Sequence, residues 1–134
     1  MAIIIRNKFP VDTQAQKAVG VDLPFSAPAV FKSNYFTRDA IKNNLINFYS
    51  TKRGERVMNP LFGSRLQNLV FNNITEITDD SIRAIITDET NNYFPFVTLT
   101  DINIQKQEDN NQYIITITYQ VANFGINDTI TVTI

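Results

Sequence analysis

A chain of 134 residues with 43% hydrophobic and 19% charged residues is long enough for one domain with a real core. A net charge of −1 supplies no overall field for nucleic acid or membrane. The absence of Cys and His removes disulfides, thiolate metal sites, the commonest general base and the commonest metal ligand.

Residues 1–36 are expected as an N-terminal extended segment. Ile3-Ile4-Ile5 suggests a short strand. Met1-Ala2-Ile3-Ile4-Ile5-Arg6 is too short an apolar start for a signal peptide, and no run approaches the ~20 residues of a membrane span, so cytoplasmic synthesis or assembly is expected. Pro10, Gly20, Pro24 and Pro28 then punctuate a stretch with little periodicity. Val21, Leu23, Phe25, Val30 and Phe31 are too many apolar residues for a free tail, so the segment lies over its own surface or a partner's.

Residues 37–134 read as a single α+β domain: about three helices, then an antiparallel sheet of three to four strands. The first helix has Thr37 as N-cap, Asp39 in its first turn and Ile41, Leu45, Phe48 and Tyr49 at helical spacing. Lys52 and Arg53 are expected in its last turn, with Gly54 as a left-handed C-cap. The second is short. Ser64 and Gln67 have capping-box spacing, and Leu66, Leu69 and Val70 give an apolar side. The third starts at Thr78 with Asp79 and Asp80 in its first turn. It carries Ile82, Ile85 and Ile86, and Pro95 stops it.

The last zone alternates. Tyr113, Ile115, Ile117, Tyr119 and Val121 fall on one face of a strand, and Ile130, Val132 and Ile134 on one face of another. Val97, Leu99, Ile102 and Ile104 form a less regular strand whose phase switches near Asp101. Glu108–Asn111 and Asn123–Asn127 are the turns.

The connection Thr51–Gly63 holds Lys52, Arg53, Arg56, two glycines, Pro60 and Phe62. A loop needs only turn formers, so this one holds something or is held. Asn59-Pro60 starts a turn, Phe62 plugs the core and Gly63 supplies positive φ before Ser64. Arg53, Arg56 and Arg65 suit carboxylates on a partner. Charge is segregated: six cations against two acids over 38–65, and five acids against Arg83 alone over 76–89. That pattern fits oriented docking, or simply solvated faces and helix-dipole partners. The pairs Asp79/Asp80, Asp88/Glu89 and Glu108/Asp109 have plain readings as a helix start, an exposed helix face and a turn. No catalytic, cofactor or metal residue is expected. Calcium-loop spacing, phosphate-binding glycine loops and nucleic-acid motifs are absent from the sequence.

The runs Asp39–Leu45, Lys52-Arg53-Gly54-Glu55-Arg56, Asn59-Pro60-Leu61-Phe62-Gly63 and Leu66–Phe71 together resemble the small baseplate wedge subunits of contractile-tailed phages. The related type VI secretion baseplate subunit belongs to the same group. Residues 39–71 carry most of the match, and the order of elements extends it over roughly 33–134. The resemblance implies a non-enzymatic virion component, assembled in the host cytoplasm into a six-fold baseplate. Its implied partners are larger wedge proteins, the tail sheath whose first ring it templates, and the tube or hub, with no nucleic acid and no membrane. The family's Glu-Pro-Arg, which contacts the wedge core bundle, corresponds here to Phe94-Pro95-Phe96, with both charges gone. Partner-binding is therefore expected of Arg53, Gly54, Arg56, Asn59, Pro60, Phe62, Gly63, Arg65, Phe94, Pro95 and Phe96. On the final strand it is expected of Ile130, Thr131 and Val132, as an edge open to strand addition. Two other readings stand beside this one: a carboxylate-dependent peptidoglycan hydrolase and a generic adaptor domain. Members of the family have been described as lysozyme-like, and nothing in these residues supports that description.

Overall fold

The computed structural model describes residues 17–23, 33–71, 79–121 and 125–134. The expectations for Ile3–Ile5, Pro10, Pro24, Phe25, Pro28, Val30, Phe31, Thr78, Asn123 and Phe124 lie outside the described residues. The fold is α+β, with two compact units, 1–47 and 48–134.

In the first unit, β1 (Gly20–Val21) pairs antiparallel with β2 (Ser33–Asn34). Gly20 packs closely there: a Cβ would lie 3.2 Å from the Cβ of Ala40. The Asn43 amide donates to Asp22 at 3.2 Å. Helix α1 (Thr37–Ser50) starts in this unit. The Phe36 carbonyl accepts from the N–H groups of Asp39 and Ala40, so Thr37 is the first helical residue and not its cap. Asp39 faces the N-terminal dipole as expected.

The second unit runs from the end of α1 to the C-terminus. Helix α1 stops at Ser50, short of Lys52 and Arg53. Lys52 is drawn into an isolated parallel bridge with Ser64, which takes the chain out of the helical path. Gly54 does have positive φ (91°), but it turns the following loop and does not cap the helix. The expected second α-helix is a 3-10 helix, Leu66–Phe71. Its capping box does not form. The Ser64 hydroxyl accepts from the Leu66 N–H at 3.1 Å, but the Gln67 amide donates to the Ser50 carbonyl instead of reaching back. Among the described residues there are therefore two α-helices, not three. Helix α2 (Asp79–Tyr93) buries Ile82, Ile86, Glu89 and Thr90, with Asp79 and Asp80 in its first turn.

A turn follows in which the Val97 N–H donates to the Phe94 carbonyl at 2.9 Å, with Pro95 at its second position, where a fixed φ is favoured. Then β3 (Val97–Gln107), β4 (Gln112–Val121) and β5 (Ile126–Thr133) form an antiparallel meander in the order β3-β4-β5. The switch of phase expected near Asp101 is a register shift between Leu99 and Asp101, so Val97 and Ile102 are both buried despite their odd separation. The hairpin residue Asn111 takes the left-handed conformation (φ 51°) that Asn tolerates. Tyr113, Ile115, Ile117, Tyr119 and Val121 are buried on one face, joined by Ile126, Ile130 and Val132. Helix α2 packs on β3 and on the 3-10 helix.

Candidate functional site

Residues 51–65 form a closed loop. Ser64 N–H donates to the Thr51 carbonyl at 2.8 Å and Arg53 N–H to the Ser64 carbonyl at 3.2 Å, which zips its two ends. Higher up, Gly54 N–H donates to the Pro60 carbonyl at 2.8 Å, and Phe62 N–H to that of Asn59 at 3.1 Å. Gly63 sits at φ 115°, and a Cβ there would lie 2.7 Å from the Thr51 carbonyl oxygen, so both conformation and space require glycine.

A carboxylate holds the base of this loop. Glu89 is 1% exposed. It accepts from the Ser64 hydroxyl at 2.6 Å, from the Arg65 N–H at 2.9 Å and from Arg65 Nε at 3.1 Å. The Arg65 guanidinium reaches Asp88 as well, at 2.8 Å. Its hydrogen bond to Glu89, and then the two neighbouring negative charges, hold its proton more tightly than usual. The expectation that Asp88/Glu89 lie together on an exposed helix face is therefore half corrected. Asp88 is exposed, whereas Glu89 points inward because it falls seven residues after Ile82 and three after Ile86 on the buried stripe of α2. That spacing was the available signal: an acid on an apolar helical face needs donors waiting for it.

An aromatic cluster holds the top of the loop. Phe48, fully buried, meets Phe62 (ring centroids 5.4 Å apart), Tyr93 (4.7 Å) and Phe94 (5.5 Å). Phe62 and Phe94 meet it edge-to-face, a favoured geometry for aromatic pairs, and Tyr93 meets it tilted by 44°. The Arg56 guanidinium lies 4.1 Å from the Phe62 ring centroid, a cation–π contact. Tyr93 hydroxyl donates to the Leu61 carbonyl at 2.8 Å and accepts from Arg53 at 3.4 Å. The loop and the Phe94-Pro95-Phe96 turn, separate in sequence, thus meet through Phe48 and Tyr93. Phe94 faces this cluster, while Phe96 is 44% exposed at its edge.

The remaining expected residues fall as follows. Gly54, Arg56, Asn59, Pro60 and Pro95 are exposed, and Arg53, Phe62 and Arg65 are half-buried. On β5, Ile130 and Val132 are buried in the core and Thr131 is exposed. Sequence reasoning missed Val57, Met58 and Leu61, which stand at the loop tip.

A family model described as baseplate wedge protein gp25 matches residues 37–126. The chain belongs to this family. Over 82 residues it is 30% identical to the baseplate wedge protein gp25 of Enterobacteria phage T4, covering 61% of this chain and 62% of that protein. The match therefore spans less than two thirds of that relative's length. A crystal structure of a protein from Geobacter sulfurreducens, described as a candidate tail lysozyme, shares the fold. It aligns with a TM-score of 0.60 at 24% identity, covering 70% of this chain and 86% of the other. The clamped loop, the aromatic cluster and the three-stranded sheet all lie within or overlap the part matched to the wedge family.

Proposed function

We propose that this chain is a structural wedge component of a contractile phage tail baseplate, without enzymatic activity. In this reading it ties larger wedge proteins around the tail tube and offers a template for the first sheath ring. Membership of the baseplate wedge family is the observation that carries it. A role in the virion tail follows from the same membership.

The local chemistry supports a scaffold. Both oxygens of Glu89 are engaged by donors and the residue is buried, so it is not a carboxylate free to meet a substrate. Arg53 supports docking in a different way. Its Nε is buried with no acceptor among the described residues. Its Nη2 donates to the Tyr93 hydroxyl at 3.4 Å, which keeps the guanidinium beside the aromatic cluster. Arg53 and Arg56 are the cations proposed to meet acidic groups of a wedge partner. Arg65, already engaged by Asp88 and Glu89, is proposed to face the partner through the part of its fork that remains exposed.

Co-expression with the larger wedge proteins of the same tail tests the reading. Arg53→Ala and Arg56→Ala are expected to keep the circular dichroism spectrum of the parent and to weaken wedge assembly, by up to about 2–5 kcal/mol if the lost charge pair is buried. Zymography on cell walls should show no clearing. A clearing zone that vanishes on substitution of a carboxylate would establish a hydrolase instead.

A further inference from the structure

We infer that the tip of the 51–65 loop is an apolar plug that enters a pocket on another protein, lined by apolar side chains and rimmed by carboxylates. The inference rests on the wedge-component reading and deepens it by naming where the binding contacts concentrate.

Val57 is 95% exposed, Met58 96% and Leu61 70%. Isolated exposed apolar residues are ordinary on a protein surface. Here three of five consecutive positions in one loop are apolar and exposed, and the loop below them is fixed in place. The Lys52–Ser64 bridge closes it, Gly63 admits no side chain, Glu89 holds Ser64 and Arg65, and Tyr93 holds the Leu61 carbonyl. A tip presented on such a base loses little conformational freedom on binding, so its apolar surface converts efficiently into affinity. Val57 and Met58 contribute almost no burial to the fold.

Charge identifies the rim. Arg56 adjoins Val57 and its guanidinium lies 4.1 Å from the Phe62 ring centroid, while Lys52 and Arg53 stand below it where the loop closes. The one acid among them, Glu55, turns its carboxylate onto the Lys52 N–H at 3.1 Å. An apolar knob in a cationic collar is complementary to an apolar pocket in an anionic collar. An anionic bilayer shares part of that chemistry. Three small side chains on a chain of net charge −1 supply little of the apolar area or basic charge that stable interfacial binding takes, so a protein pocket is favoured.

The full-length chain is titrated against the larger wedge proteins of the same tail, as parent and as Val57→Ser/Met58→Ser. The double variant is expected to melt with the parent, since neither side chain is packed, and to bind at least about tenfold more weakly. Binding of both should fall as salt rises, because the collar is charged. A photo-crosslinking residue in place of Met58 should capture a wedge-protein segment in which apolar residues are flanked by Asp or Glu. If the parent does not bind wedge proteins, the wedge reading falls and this inference with it. If the parent binds and the double variant binds equally well, only the plug is overturned. Capture of a second copy of this chain, or tip-dependent binding to phosphatidylserine vesicles at similar affinity, would also overturn it.

Discussion

Glu89 shows how one residue can fix a loop 24 positions away in sequence. Its carboxylate gathers a hydroxyl, a backbone N–H and a guanidinium N–H at the point where the loop closes. Glu89→Gln keeps the shape and removes the charge, so the amide must turn a donor toward one of those donors. Arg65 is partly exposed and can be resolvated, which limits the damage. A loss of about 2–4 kcal/mol is expected, read as a lower urea midpoint at unchanged m-value. Tyr49 gives a pH-dependent counterpart. Its hydroxyl bonds to Thr90 at 2.6 Å and to the Ile86 carbonyl at 3.3 Å, and burial raises its pKa well above the ordinary 10.0. The folded state then holds the proton more tightly than the unfolded chain does. The resulting stability is complete below about pH 10 and is lost as the pH climbs from there toward the folded value. Tyr49→Phe should cost about 1–2 kcal/mol at pH 7, where it strands the buried Thr90 hydroxyl. The gap between parent and variant should narrow above pH 10, and urea titrations at both pH values measure it.

At the scale of elements, the turn that ends α2 divides two neighbouring aromatics. Phe94 packs on Phe48 and Phe96 is 6.2 Å from Phe94 at the exposed edge. Phe94→Ala is expected to cost about 2–4 kcal/mol of stability, somewhat below the range for a fully buried Phe. Phe96→Ala should leave the melt nearly unchanged, because its ring is 44% exposed, and should weaken wedge assembly if that ring is an apolar anchor for a partner. Equal, large stability losses in both variants would assign both rings to the core. Elements with a strong period were readable from sequence. The alternation in β4 and β5 gave the buried face, and the broken alternation at Asp101 gave the irregularity in β3. Elements decided by long-range partners were not. The 3-10 helix at Leu66–Phe71 has an α-like pattern, but its capping partner Gln67 is taken by Ser50. The end of α1 moved to Ser50 because Lys52 has a partner at Ser64 that no local signal reveals. The exposed tip was missed for the same reason: that Val57, Met58 and Leu61 point outward follows only once the loop is known to be closed at its base.

At the scale of the whole molecule, the sheet decides where a neighbour can add a strand. Among the described residues β5 pairs only with β4, so it is an edge. Its register shows which backbone groups are spoken for. Tyr113 and Ile134 exchange both N–H···O bonds, at 2.8 and 3.0 Å, which makes them a hydrogen-bonded pair. Antiparallel ladders alternate such pairs with non-bonded ones, so Val132 and Ile130 also turn their backbone groups toward β4. Thr133, Thr131 and Thr129 turn theirs outward, and their side chains lie on the exposed face. Thr131 is therefore a position where proline removes an outward donor without breaking the ladder to β4, as edge strands tolerate. If the first sheath subunit docks by strand addition here, Thr131→Pro should enter baseplates and fail to start sheath, whereas Thr131→Ser should behave as the parent. Circular dichroism and a melt establish that the proline variant is folded, and electron microscopy of assembled tails counts the sheathed ones. A folded Thr131→Pro chain that enters baseplates and still starts sheath at the parental frequency would move the sheath contact to another surface. The buried Ile130 and Val132 would then keep only their role in the core.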